Sequence, residues 1–96
     1  MAKVKTKPHP PLATRIVAAL KDGLKTSGFA VEGVEVEAIK GTKVLRVTVV
    51  ARGFDKLWVT ERQDLVWRIL NQALTRDEQL RISMVVTLSP SEVVGV

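Results

Sequence analysis

The feature that most constrains the fold is an apolar stripe of helical spacing in the second half of the chain. Its members recur at i, i+3, i+4, i+7 and i+8 and are Val66, Ile69, Leu70, Ala73 and Leu74. Such a stripe occupies one face of an α-helix, and that face must be buried against another element. The sequence therefore predicts a helix over about residues 60–75 that packs on a complementary apolar surface.

The segment before this stripe carries a helix-start pattern. Thr60 is followed three residues later by Gln63, the spacing of a capping box, in which each side chain bonds to the other residue's backbone amide. Glu61 and Asp64 lie in the first turn, where the helix dipole favours negative charge. The helix is therefore predicted to begin at Thr60.

Aromatic residues flank this helix start. The preceding GFDKLW, residues 53–58, is predicted to form one helical turn that packs Phe54 and Leu57 into the core. Trp67 follows the apolar stripe and is predicted to be core, whereas the pattern leaves Trp58 undecided between core and surface.

A second helical stripe lies near the N-terminus. It consists of Leu12, Ile16, Val17, Leu20 and Leu24 and predicts a helix over residues 11–26. Pro10 and Pro11 suit the run-in to this helix, and Ser27 and Gly28 suit its end.

Three segments alternate in the manner of half-buried strands. VEVEA, residues 34–38, and KVLRVTVVA, residues 43–51, are joined by the turn KGT and predict a hairpin. Lys43 and Arg46 are expected to face the glutamates of the first strand. In LRISMVVTL the alternation predicts one face, formed by Leu80, Ile82, Met84, Val86 and Leu88.

The order of these elements predicts an α+β fold: a three-stranded mixed sheet with two helices on one face, in the order αββααβ. We expect residues 1–11 to be a flexible basic tail, residues 12–93 to form one domain and residues 94–96 to be a C-terminal tail. At 96 residues with 46% hydrophobic content, the chain has room for one modest core.

Composition narrows the chemistry. The chain has no cysteine, which excludes disulfides and thiolate metal ligands. Its single histidine, His9, lies between two prolines in the tail, so neither a metal nor another cofactor is predicted. No apolar run approaches the roughly 18 residues of a membrane span, and no signal peptide is evident. We expect a cytoplasmic protein that does not contact membranes.

The net charge of +5 is concentrated at one end. Lys3, Lys5 and Lys7 supply three of the fifteen basic residues, so that twelve basic against ten acidic residues leave +2 for the remainder. The tail is interpreted as a solubilising arm, and it would also attract phosphates weakly and in a salt-dependent way.

The stretch VVARGFDKLWVTERQDLVWRILNQAL resembles the signature of the BolA family. In that signature a strand ends in Val-Val-Ser, a Phe follows, and Arg-His-Arg opens a helix that continues with Leu-Val-Tyr and Leu. The matching residues are Val49, Val50, Phe54, Arg62, Leu65, Val66, Trp67 and Leu70. VVTLSPSE near the C-terminus likewise resembles the family's Thr-Tyr-Thr-Pro-Glu-Glu, with Thr87, Pro90 and Glu92 in place. The resemblance covers roughly residues 12–93 and implies a fold similar to a type II KH domain.

The resemblance also implies a function. BolA-like proteins bind monothiol glutaredoxins and help to ligate a shared iron–sulfur cluster, through a His at the start of the last strand and a Cys or His in the hairpin loop. Here the His position is Arg81, the loop is KGT, and Gln63 and Asp64 replace the His-Arg of the signature. Arginine stays protonated and is not an iron ligand, so cluster ligation by this chain is not expected.

Two kinds of partner follow from these residues. The first hypothesis is a protein-binding module with a glutaredoxin-type or other partner, because Trp and Arg dominate interface hot spots; its candidate contacts are Lys56, Trp58, Arg62, Arg68 and Arg81. The alternative is weak binding of RNA or DNA through the KH-like architecture; its candidate contacts are Lys3, Lys5, Lys7, Arg52, Lys56 and Arg62.

The other classes of function have less support. The connection FDKLWVT contains no glycine, whereas KH domains clamp nucleic acid with a Gly-x-x-Gly loop. Without cysteine, tyrosine or a histidine in the predicted domain, catalysis is not expected. Pairing of two copies through a sheet edge, giving a homodimer, stays open as a further alternative.

Overall fold

The computed structural model describes residues 11–94. The chain begins with helix α1 (Leu12–Thr26), strands β1 (Ala30–Ala38) and β2 (Leu45–Arg52) and a 3₁₀ turn (Phe54–Lys56). It continues with helices α2 (Val59–Ala73) and α3 (Arg76–Gln79), strand β3 (Ile82–Leu88) and helix α4 (Pro90–Val94). The predicted order αββααβ is confirmed, with the 3₁₀ turn and α2 as its two central helices.

Helix α1 begins and ends where the sequence indicates. Pro11 precedes its first residue. At the other end Gly28 adopts a φ of 93°, and the amide of Phe29 donates to the Leu24 carbonyl at 2.9 Å. Glycine adopts this left-handed conformation without steric cost, so the chain reverses here and enters β1.

The sheet is mixed, as predicted. Strands β1 and β2 pair antiparallel, and β3 lies parallel to β2 on its other side. A parallel neighbour requires a crossover connection, and α2 supplies it. The predicted cross-strand pairing is present for Arg46, which lies opposite Glu37 and forms an ion pair with it.

The core lies between the sheet and the two long helices. Ile16, Leu20 and Leu24 of α1 and Val66 and Leu70 of α2 are buried, as the two predicted stripes require. Ala73, which the α2 stripe also included, is exposed. Alternate residues of β2 form the opposite wall, namely Leu45, Val47, Val49 and Ala51. These four alternate residues are all apolar, so their face of β2 is the one that lies under the helices.

The predicted inner face of β3 is wrong after its first residue. The pairing of β2 with β3 shifts register between Leu45 and Arg46, so the faces of β3 exchange beyond Ile82. Val85 and Thr87 are buried, whereas Met84 is 52% exposed. An extra residue in one strand reverses the side-chain alternation that follows it, and alternation alone does not reveal the extra residue.

The predicted start of α2 is confirmed to within one residue, but the predicted capping pair is wrong. The helix begins at Val59, and the carboxylate of Glu61 accepts the Trp58 amide at 2.8 Å. Gln63 does not cap the helix: its side chain donates to the Val85 carbonyl on β3 at 2.7 Å. Glu61 therefore fixes the backbone at Trp58, and Gln63 ties α2 to the sheet.

Two short helices were not predicted. Thr75 and Glu78 form reciprocal hydrogen bonds at the start of α3, and Glu92 accepts the Ser89 amide at the start of α4. Both are the capping pattern of Ser or Thr followed three residues later by Glu, so the signal was present in the sequence. Within residues 11–94, no helix has the length and apolarity that a membrane crossing requires.

Candidate functional site

The chain directions divide the candidate residues between two ends of the sheet. One end, here called the hairpin end, consists of residues 39–44 with Leu80 and Arg81. Arg81 belongs to it because its carbonyl accepts the Leu45 amide and its Nε donates to the Lys43 carbonyl at 3.0 Å. Lys56 and Trp58 lie at the opposite end, where β2 finishes and α2 begins. The two groups are separated by the length of the strands.

Arg62 is the centre of the most elaborate side-chain network in the described part of the chain. Its Nη1 and Nη2 donate to the two Glu92 oxygens at 2.8 and 3.3 Å. Nε donates to the Leu57 carbonyl at 3.2 Å and Nη1 also to the Thr87 carbonyl at 3.3 Å. The guanidinium lies 5.8 Å from the centre of the Phe54 ring. One side chain thus joins α2, the 3₁₀ turn, β3 and α4.

The network changes the pKa of the carboxylate that pairs with Arg62, that of Glu92. The side-chain hydrogen bond from Arg62, followed by the bond from the Ser89 amide, lowers the pKa of Glu92 to about 2 from its usual 4.5. Charge-assisted, two-pronged arginine–carboxylate bonds are among the strong hydrogen bonds in proteins. Glu92 is consequently an anion over the whole physiological range, and it keeps α4 attached to the body of the domain.

Burial removes Arg62 from the predicted contact residues, both for a protein and for nucleic acid. Only 4% of the residue is exposed, and its donors already have partners. Sequence reasoning placed it at the surface because arginine is rarely buried unless paired, and its partner lies thirty positions away. Within the BolA-like signature, Phe54 and Arg62 are folding residues.

Trp58, which the sequence pattern left undecided between core and surface, lies at the surface. It is 78% exposed, and the neighbouring Val59 is also exposed. Trp67, in contrast, is half-buried and packs against the core, as predicted. An exposed tryptophan on a backbone fixed by Glu61 offers a large, rigid contact area.

Arg81 lies in an apolar and basic surface at the hairpin end. Leu80 is 73% exposed and Ile39 is partly exposed, while Lys40 and Lys43 are exposed and of the same charge sign as Arg81. The hydrogen bond from Nε to the Lys43 carbonyl holds the Arg81 side chain against the start of β2.

Arg68 belongs to neither end. It lines a groove between α1 and α2 together with Asp22 and Gln72. With Arg62 buried, the predicted protein contacts therefore divide into three places: Lys56 with Trp58, Arg68 alone, and Arg81. They do not form one surface.

The predicted nucleic-acid contacts are likewise dispersed. Arg52 forms an ion pair with Glu32 at 2.6 Å, and Arg62 is buried, which leaves Lys56 exposed beside Asp55. Lys3, Lys5, Lys7 and His9 lie outside the described residues. The described candidates thus form no continuous basic strip of the kind that follows a phosphate backbone.

Gly53, which precedes the FDKLWVT connection, serves packing. Its φ is 99°, and an added Cβ would lie 3.0 Å from Cδ1 of Phe29. We expect Gly53→Ala to lower the free energy of unfolding by about 2 kcal/mol, because the left-handed backbone and the ring contact both oppose a side chain.

Gly41 provides the matched control for Gly53→Ala. It has a φ of 82° but no atom within 4 Å of an added Cβ, so Gly41→Ala is expected to cost only the backbone term of about 1 kcal/mol. Urea unfolding of both variants measures the difference. Equal losses would show that the Phe29 contact has no effect.

The residues at the hairpin end do not fit an iron–sulfur cluster. The position that the BolA-like resemblance assigns to a ligand His holds Arg81, and the loop offers lysines and Thr42 rather than thiolate or imidazole. Among residues 11–94, no group of three or more His, Cys, Asp or Glu side chains is arranged to hold a metal ion.

Comparison of the sequence with protein-family models and with curated proteins finds no match. Solved structures do match. BolA1 from Arabidopsis thaliana superposes with a TM-score of 0.61 at 19% identity, covering 88% of this chain and 98% of that one. The solution structure of BolA1 from Mus musculus gives 0.51 at 18% identity, covering 95% and 75%. Element order, mixed sheet and superposition together show that this chain has the BolA-like fold.

Proposed function

We propose that this chain is a non-enzymatic BolA-like module that binds a protein partner through the hairpin end and does not itself ligate an iron–sulfur cluster. The observation that carries the proposal is Leu80, a leucine 73% exposed beside Arg81. Arginine is enriched among interface hot spots, and the exposed leucine beside it adds apolar area that a partner could remove from water. Lys40 and Lys43 supply a basic rim.

The partner follows from the resemblance. In BolA-like proteins the start of the last strand and the hairpin loop face a monothiol glutaredoxin, and here the same two segments carry Leu80, Arg81 and Lys43. Contact residues are compatible with the loss of the ligand, because shape and charge at an interface do not require a metal bond. A glutaredoxin-type protein is therefore the first partner to test.

The test mixes the chain with a cluster-loaded monothiol glutaredoxin, followed by size-exclusion chromatography and visible circular dichroism. We expect a complex, and we expect the double variant Leu80→Ala/Arg81→Glu to weaken it by about tenfold or more, as for interface hot spots. Trp58→Ala is the control, since Trp58 lies at the opposite end of the sheet and should leave the affinity unchanged.

Three outcomes of the binding test would contradict the proposal or part of it. An unchanged cluster spectrum without co-elution would remove the glutaredoxin as partner. Equal binding by the Leu80/Arg81 double variant would remove the hairpin end as the surface. Binding of single-stranded RNA that falls steeply with salt would instead favour the nucleic-acid alternative.

A further inference from the structure

The two edges of the sheet differ in whether their backbone groups have partners. At the β3 edge the Val85 carbonyl accepts a hydrogen bond from Gln63 at 2.7 Å, and the Thr87 carbonyl accepts one from Arg62 at 3.3 Å. Side chains of α2 therefore occupy this edge. Strand β1 forms the other edge, and within residues 11–94 it pairs with a strand on one side only.

The pairing of β1 with β2 identifies the backbone groups that lie at the β1 edge. The Ile39 amide donates to the Val44 carbonyl, and bonded pairs alternate with non-bonded pairs along an antiparallel ladder. Counting back from Ile39, the amides and carbonyls of Val36 and Val34 point away from β2. Both valine side chains are half-buried against the core. An added strand would therefore meet unpaired backbone groups and apolar side chains that it can cover.

Glu35 gives the β1 edge an uncompensated negative charge. Its partner on β2 is Thr48, and the residues on either side of Thr48 are buried beneath the helices, so Glu35 lies on the outer face of the sheet. Glu37, on the same face, pairs with Arg46. Glu35 is exposed and forms no ion pair with any residue between 11 and 94. A cation directly opposite Glu35 on an added strand would stabilise the pairing of the two strands.

Gly33, two positions before Glu35, opens a groove beside this charge. It lies opposite Val50, and no atom lies within 4 Å of a Cβ added to it. The groove has a volume of about 460 Å³ and continues over Leu88 and Val93. Neighbouring strands are about 4.8 Å apart, so an aromatic side chain opposite Gly33 on an added strand can reach across the glycine onto Val50. Aromatic residues stabilise edge glycines in this way.

We infer that the β1 edge accepts an extended segment of a partner protein as a fourth strand, with a basic residue opposite Glu35 and an aromatic residue opposite Gly33. Alternate residues of a strand share one face, so the two side chains are two positions apart on the segment and both lie on the outer face. In this mode of binding, backbone hydrogen bonds supply affinity and the alternate side chains supply specificity. The inference does not depend on binding at the hairpin end.

The glutamates of β1 argue against a second copy of this chain as the added strand. In every antiparallel register that pairs Val36 with Val34, Val36 or Ala38 of the second copy, Glu35 or Glu37 lies opposite a glutamate. Like charges directly opposite each other destabilise a strand pair. The segment that fits this edge therefore belongs to a different protein and carries the opposite charge.

An NMR titration of the full-length protein with the peptide Thr-Phe-Thr-Lys-Thr-Phe-Thr tests the inference. The peptide reads the same in both directions, so a phenylalanine lies two positions from the lysine for either polarity of the added strand. We expect saturable shifts and slower hydrogen exchange at the Val34 and Val36 amides. Exchange should not change at the Glu35 amide, which already bonds to β2, or at the Val85 and Thr87 amides of the β3 edge.

Charge exchange provides matched variants. Glu35→Lys should weaken binding of the lysine peptide by about tenfold, because an attractive cross-strand pair becomes a repulsive one. A peptide with Glu in place of Lys should restore the binding to this variant, which also shows that the variant is folded. Asp64→Lys makes the same change of charge on an exposed position of α2 and should leave the affinity unchanged.

The aromatic contact has its own test. A peptide with Thr in place of both phenylalanines should bind the wild type about tenfold more weakly, because less apolar surface leaves water. Equal affinity would overturn the assignment of the groove over Gly33.

Two further results would overturn the inference as a whole. The first is an unchanged exchange rate of the Val34 and Val36 amides at saturating peptide. The second is slow exchange of these amides in the free protein that strengthens with protein concentration, because the added strand would then be a second copy.

Discussion

Arg62→Ala is expected to lower the free energy of unfolding by about 3 kcal/mol. Removing one member of a buried ion pair leaves the charge of the other uncompensated, at a cost of roughly 3–5 kcal/mol. We take the lower end of that range because Glu92 is half exposed to water. For a small domain with a total stability of about 5–15 kcal/mol, this is a major loss.

Arg68→Ala is the control for this substitution. Arg68 lies on the same helix but is exposed, so its loss is expected to change stability by about 0.5 kcal/mol or less. Urea unfolding followed by far-ultraviolet circular dichroism compares the two variants. A similarly small effect of Arg62→Ala would show that the network around Glu92 does not stabilise the fold.

The pH dependence gives an independent measure of the same ion pair. Because folding lowers the pKa of Glu92 to about 2 from 4.5, the unfolded chain binds this proton first as the pH falls. The stability contributed by the carboxylate is therefore complete above pH 4.5 and is lost between that value and about 2. Wild type should exceed Glu92→Gln at neutral pH, and the difference should disappear over this window.

Phe54→Ala should have the largest effect of all, about 3–5 kcal/mol, the range for truncating a buried aromatic residue. Phe54 has no exposed surface, and its ring meets Phe29 edge-on with the centres 5.4 Å apart. The Arg62 guanidinium lies above the same ring. Truncation would therefore leave a cavity and also weaken the support of the buried arginine.

Trp58→Ala is the control for Phe54→Ala, because it removes an aromatic side chain that is exposed rather than buried. Trp58 is four residues from Phe54 in the same signature stretch but is largely exposed, so its truncation is expected to change the free energy of unfolding by about 0.5 kcal/mol or less. Phe54→Leu, which keeps most of the apolar volume, should fall between the two. Comparable losses for Phe54→Ala and Trp58→Ala would contradict the assigned packing.

Much of the fold was predictable from local patterns. The stripes of α1 and α2 recur at helical spacing, and Gly28 marks the end of α1, because each signal depends only on neighbouring residues. The short helices α3 and α4 were also readable, from Thr75 with Glu78 and from Ser89 with Glu92. The true start of α2 was not readable, because Trp58 is not a capping residue type, whereas Thr60 with Gln63 fits the capping-box pattern.

The candidate contact residues were less predictable than the fold. Lys56, Trp58 and Arg81 are exposed, as proposed, but they lie at different ends of the sheet. Chain direction decides this separation, and a list of residue types does not contain it. The buried face of β3 was mispredicted for a related reason. The register shift in its pairing with β2 is a property of two strands together, so the sequence of neither strand alone reveals it.

By itself, the sequence determined which segments are helices and strands and which faces of α1, α2 and β2 are buried, since hydrophobic periodicity and turn residues act over a few positions. Only the tertiary structure decided that Arg62 is buried. Its burial depends on Glu92 and Thr87, which lie thirty and twenty-five residues away, and a charge can be buried only where such partners converge. Arg62, one of the residues that carry the BolA-like resemblance, is therefore a structural residue, and the exposed Leu80 beside Arg81 becomes the candidate surface.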